Sequence, residues 1–169
     1  RYDGDHLATT FHEGRRQALM DRLPDDALAF FFSAPTRNRS NDVSFEYRQD
    51  SDLLYLTGTH EPGSVLMLAP GGVDVDGRTV REILFVPPRN PSEEVWLGRR
   101  FGAERAMEQL GVDLALESTR FDEVADPWLA AGGHKVFHLP LPDGVARGSD
   151  LEGQLQVFDR YVRSVSIPE

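Results

Sequence analysis

The chain has 169 residues, 40% hydrophobic and 27% charged, which suits a single soluble globular domain with a sizeable core. A net charge of −10 argues against nucleic acid, whose affinity depends on clustered Lys and Arg. No apolar run approaches the ~20 residues needed to cross a bilayer, and with no cysteine there is no disulfide framework, which fits a reducing, cytoplasmic setting.

Residues 9–23, TTFHEGRRQALMDRL, predict an opening helix with Thr9 or Thr10 as its cap and Phe11, Ala18, Leu19 and Leu23 near one face. Pro24-Asp25-Asp26 ends it. The apolar run Ala27–Phe32 predicts a strand covered on both faces. A polar loop over 34–51 then leads into Asp52–Thr57, which reads as a short buried strand closed by Thr57-Gly58. Arg39, Asp42, Glu46, Arg48, Asp50 and Asp52 crowd ahead of that strand, a costly arrangement unless they pair or face a site.

Ser64–Leu68 and Arg81–Val86 predict the arms of an antiparallel hairpin around Gly71-Gly72 and Asp76-Gly77. A helix over 102–110, a short strand over Leu114–Leu116 and a helix over 118–131 follow. Ser118 or Thr119 would cap that last helix, and Pro127 would bend or break it. Lys135–Leu139 predicts another strand. Leu151, Leu155, Phe158, Val162 and Val165 recur at helical spacing, so the final helix presents an apolar stripe to the sheet. Helices before, between and after strands predict an α/β domain with a three-layer mixed β-sheet and helices on both faces. The domain is expected over residues 1–163, with 164–169, SVSIPE, as the start of a linker.

The chemistry-bearing residues are sparse. His134 and His138 have the spacing by which two helical imidazoles share a zinc, but HKVFHLPLP reads as a strand. There, four residues span about 13 Å, too far to chelate one ion, and a structural role is expected. Asp74-x-Asp76-Gly77 lacks the later ligands of a calcium loop and reads as a turn. There is no Gly-rich phosphate cradle, no Gly-x-Ser-x-Gly elbow and no cysteine nucleophile. The expectation is a chain without a catalytic centre or metal site of its own. Two polar segments stand out. Arg37–Asp42 reads either as a loop salt bridge or as a polar rim lent to a neighbouring site. In Pro91–Arg100, Trp96 reads either as a half-buried core residue or as an interface anchor.

Several motifs in order carry a family resemblance. They are Phe11…Arg15-Arg16…Leu19, Arg39-Ser40-Asn41-Asp42, Tyr47-Arg48-Gln49-Asp50-Ser51-Asp52 and Tyr55-Leu56-Thr57-Gly58. Glu61-Pro62, Glu94-Val95-Trp96-Leu97-Gly98-Arg99-Arg100 and Leu110-Gly111-Val112 complete the series. Over about residues 10–116 the chain resembles the N-terminal domain of the X-prolyl aminopeptidases (aminopeptidase P). The resemblance implies the creatinase/prolidase N-terminal fold and a whole enzyme that removes the first residue from peptides with proline second. It also implies a C-terminal pita-bread domain, absent here, holding two divalent metal ions, usually manganese. This fragment would then hold no cofactor and be inactive alone. Its partners would be its own catalytic domain, other subunits of a homo-oligomer and a proline-containing peptide, with no nucleic acid and no membrane. Asp42 and Trp96 map onto positions implicated at the active-site entrance: Asp42 as a charged partner, Trp96 as an aromatic wall in a neighbouring subunit's cleft, with Arg39 orienting Asp42. The opening RYDGDH, with neither initiator Met nor signal pattern, fits a trimmed piece of that longer protein. A non-enzymatic interaction module of the same fold, or the N-terminal domain of a prolidase or creatinase relative, is the alternative.

Overall fold

The computed structural model describes residues 7–40, 43–143, 145 and 151–165. Its elements in chain order begin with α1 (Thr9–Met20), β1 (Ala27–Phe32), β2 (Asn38–Ser40), β3 (Val43–Ser44), α2 (Ser51–Thr57) and β4 (Val65–Val75). They continue with β5 (Arg78–Val86), α3 (Pro91–Leu97), α4 (Gly102–Leu110), β6 (Leu114–Glu117), α5 (Phe121–Ala131), β7 (Lys135–His138) and α6 (Glu152–Val165).

The β4–β5 hairpin is the spine. Its turn is Asp76-Gly77 alone, both at positive φ (52° and 76°), the conformation of a two-residue turn whose twist matches the strands. Asp74 Oδ1 accepts the Gly77 amide at 3.3 Å, so these acids serve the turn. Gly71-Gly72 is not part of it, contrary to expectation. It lies where the β4–β5 register shifts, and a side chain on Gly71 would meet the Asp25 carbonyl at 2.5 Å.

The five-stranded sheet has the order β6-β5-β4-β1-β7. β4 pairs antiparallel with β1 and β5, while β6 lies parallel to β5 and β7 parallel to β1. Four strands therefore end at one edge of the molecule, where β4 begins. Alternate residues along the central strands feed two cores. On one face Phe30, Met67, Val65 and Phe85 meet α5 and α6, with Phe158 against Phe30 at 4.9 Å and Phe32 at 5.2 Å. On the other face Ala29, Leu66, Leu68 and Leu84 meet Met20, Leu53, Leu56 and Ala106 from α1, α2 and α4. The mixed sheet with helices on both faces is thus as expected.

Some local readings are corrected. Ser51–Thr57 is a helix, not a buried strand. Asp50 Oδ1 accepts the Asp52 and Leu53 amides at its start, and Gly58 at φ 72° ends it. Of the described acids and arginines in this stretch, Arg39, Glu46, Arg48 and Asp52 are exposed and Asp50 is half-buried, so the expected burial cost does not arise for them. Pro91–Leu97 is a further helix, started by Asn90 Oδ1 on the Ser92 amide. Neither Thr9 nor Thr10 caps α1; Thr9 Oγ1 donates to the Gln109 carbonyl instead. A 3₁₀ turn, Ser118–Arg120, precedes α5, and Pro127 lies inside α5 without ending it. Val157 and Gln154 join Leu151 and Phe158 on the buried face of α6, and the Val165 side chain lies outside the described residues. His134 packs its ring against Trp128 at 5.6 Å and His138 against Phe158 at 5.2 Å.

The buried face of α1 departs furthest from the expected Phe11, Ala18, Leu19 and Leu23. It carries His12, Arg16 and Met20, with Arg16 fully enclosed. Arg16 Nε donates to Glu82 Oε2 at 2.9 Å, Nη1 to the Leu56 carbonyl at 2.9 Å and Nη2 to the Gly111 carbonyl at 2.6 Å. Burial lifts the Glu82 carboxyl above its ordinary 4.5, and Arg16 draws it back down. Replacing Arg16 by Met should cost about 3–5 kcal/mol in urea unfolding at neutral pH, because Glu82 is left buried without its cation. With its folded pKa raised further, Glu82 then favours folding fully below the unfolded pKa and progressively less as pH rises through the folded one. The variant's deficit should therefore shrink as pH falls toward 4.5; a pH-independent deficit would refute this account of the pair.

Candidate functional site

The site of interest lies at the sheet edge where β1 and β5 end and β4 begins. The segment after β1 carries the β2–β3 hairpin, and the segment after β5 carries α3. All three residues singled out by the sequence, Arg39, Asp42 and Trp96, fall in these two segments. Arg39 lies in β2, exposed, its guanidinium 6.0 Å from the centre of the Phe45 ring. Asp42 lies outside the described residues, and so does the proposed Arg39–Asp42 pairing. Trp96 sits on α3 two residues past Glu94, and its side chain also lies outside the described residues.

What joins the segments is a set of polar groups whose role the sequence did not disclose. Gln49 is buried, and its Oε1 accepts from the Ala34 amide at 3.1 Å, the Tyr47 hydroxyl at 2.7 Å and the Asp50 amide at 2.9 Å. Its Nε2 donates to the Glu61 carbonyl at 2.9 Å. Glu61 in turn accepts the Phe101 amide with its side-chain Oε1. One residue thus ties the segment after β1, through Gln49, to the segment after β5, through Phe101. Arg89 braces α3 with a bidentate pair to Glu94, both contacts 2.9 Å, and this bonding holds the Glu94 carboxyl below its ordinary range. Gln49 and Glu61 stand in the motifs Tyr47-Arg48-Gln49 and Glu61-Pro62, so the motifs were visible while their purpose was not.

Among the described residues no three His, Asp or Glu side chains converge as a metal centre needs. The resemblance places a dinuclear site in a separate C-terminal domain, and the described residues do not supply one. What this arrangement does is position backbone: it sets the relative placement of two loops.

The family model for the aminopeptidase P N-terminal domain matches residues 12–137. The chain belongs to the aminopeptidase P N-terminal domain family. It is 39% identical over 109 residues to Xaa-Pro aminopeptidase of Escherichia coli, covering 64% of this chain and 24% of that protein. It is 37% identical over 179 residues to human Xaa-Pro aminopeptidase 3, covering 91% of this chain and 34% of that one. Among solved structures, a His-to-Ala variant of Escherichia coli aminopeptidase P superposes with a TM-score of 0.73 at 31% identity, covering 94% of this chain and 33% of the other. The same protein with the inhibitor Pro-Leu gives 0.70 at 32% identity, covering 94% and 35%. The aminopeptidase P N-terminal domain fold is therefore established, and the chain spans about a quarter to a third of the length of these relatives. No helix among the described residues is long and apolar enough to cross a membrane.

Burial pushes the Tyr47 phenol well above its ordinary 10.0. A phenol that ionises later in the folded chain supports folding below pH 10 and loses that support as pH climbs toward the folded pKa. Tyr47→Phe should cost about 1 kcal/mol near neutrality and flatten the loss of stability above pH 10. Gln49→Ala, which strands four partners, should cost about 3 kcal/mol. Urea midpoints measured across pH check both; equal, small losses for the two variants would mean that the network does not hold the segments.

Proposed function

We propose that these residues form the non-catalytic N-terminal domain of a proline-specific metalloaminopeptidase, which removes the first residue from peptides with proline second. The observation that carries this reading is the joining of the segment after β1, which holds Arg39, to the segment after β5, which holds α3, at one sheet edge through Gln49, Glu61 and Phe101. A frame held in that way suits a domain that shapes an entrance rather than one that performs the reaction. The names and overlap of the relatives point the same way.

In this reading the domain contributes to a homo-oligomer and narrows the mouth of the active site. Asp42 offers a charged partner there, Arg39 orients it, and Trp96 supplies an aromatic wall that admits thin, extended peptide N-termini. The reaction belongs to a C-terminal domain holding two divalent metals, manganese by family resemblance, which would acidify a bound water and polarise the scissile carbonyl. The setting is cytoplasmic.

The test is steady-state kinetics on the full-length protein carrying Trp96→Ala. Loss of an aromatic contact made equally to substrate and transition state should raise KM for an X-Pro peptide about tenfold with kcat nearly unchanged. Unaltered KM and kcat would remove Trp96 from the entrance, and a full-length protein with no X-Pro activity would remove the enzyme reading itself.

A further inference from the structure

β1 and β7 are parallel neighbours, and their carboxyl ends open on a cavity of about 150 Å³ that is partly open to solvent. The crevice beyond the carboxyl ends of parallel strands is where α/β sheets recurrently take their ligands. Phe30 and Phe32 form the apolar wall, and Pro140 and Pro142, from the segment after β7, line the other side. Four polar side chains share the lining: Ser33, Arg37, Asp50 and Asp143.

The state of those four groups is informative. Ser33 is fully buried, and its hydroxyl has no hydrogen-bond partner of standard geometry, although it lies near enough to the Tyr47 phenol to favour that group's ionised form. A buried hydroxyl in that condition calls for a further polar partner. Among the described residues neither the Arg37 guanidinium nor the Asp143 carboxylate is engaged in an ion pair, although opposite charges line the same small space. Asp50 spends Oδ1 on the Asp52 and Leu53 amides, which leaves Oδ2 for another donor.

We propose that this cavity is a binding site for a small zwitterion, an α-amino acid about the size of alanine. Its carboxylate meets Arg37, its ammonium meets Asp50 and Asp143, and its side chain lies against Phe30 and Phe32. A lone anion would face two carboxylates and a lone cation would face the guanidinium, so only a ligand carrying both charges is matched throughout. The size agrees, because a cavity of similar volume takes a molecule of about six heavy atoms. The inference does not rest on the peptidase reading, which turns on Arg39, Asp42, Trp96 and a separate domain, although Arg37 opens the same polar segment and the Asp50 amide is bonded to Gln49.

The experiment is an amide NMR titration of this chain with L-alanine, with acetate and methylammonium as single-charge controls. Alanine should shift the Ser33, Ala34 and Asp50 amides saturably, with half-saturation in the millimolar range that so few contact atoms permit. Arg37→Gln and Asp143→Asn remove exposed side chains, so both should keep the wild-type spectrum elsewhere while weakening alanine at least about tenfold. The absence of saturable shifts in that cluster would overturn the proposal. So would alanine binding that both variants leave intact, or acetate binding as tightly as alanine, which would make this a plain anion site.

Discussion

A single buried guanidinium organises one face of the domain. Arg16 reaches the carboxylate of Glu82 on β5, the Leu56 carbonyl in the last turn of α2 and the Gly111 carbonyl just past α4. Helix C-termini expose carbonyls that lack donors and carry the negative end of the helix dipole, so a cation there satisfies hydrogen bonds and charge together. The planar fork of arginine can serve three acceptors in fixed directions, which the single ammonium of lysine cannot do in the same geometry. The adjacent Arg15 has an unrelated role. It points outward between Phe11 and Tyr55, its guanidinium 4.8 and 5.1 Å from their ring centres.

That arrangement reaches the far edge of the sheet through α2. Arg16 holds the end of this helix, and its beginning is set by Asp50, whose amide is bonded by Gln49. Gln49 is bonded to Glu61, and Glu61 to Phe101. Buried polar chains of this kind are costly when incomplete and rigidifying when complete, which suits them to fixing the positions of loops that have little apolar packing of their own. The consequence for function is positional. The hairpin after β1 and the helix after β5 are carried on one frame, and any role at an entrance depends on that frame.

The parts of the fold that were legible in the sequence were those driven by apolar periodicity. ALAFFF could only be buried on both sides, Asp-Gly between β-branched runs marked the β4–β5 turn, and the last helix showed its stripe. The run Leu53-Leu54-Tyr55-Leu56 is ambiguous in sequence because four apolar residues fit a strand as well as a helical turn. The capping Asp50 and the terminal Gly58 were the signals that settle it. Arg16 was hidden for a different reason. Charge ordinarily marks an outward face, and nothing local reveals that Glu82 and two helix ends will gather around one position of α1. The site was legible only as a set of motifs. Their order pointed to the family, while the work of Gln49 and Glu61 depends on contacts between segments distant in sequence.

In the function proposed above, this polypeptide frames a reaction performed elsewhere. The most direct measurement incubates the purified chain, loaded with manganese, with an X-Pro peptide and follows release of the first residue. The account predicts release no faster than the protein-free blank. Turnover proportional to the amount of chain, and abolished by a chelator, would contradict it.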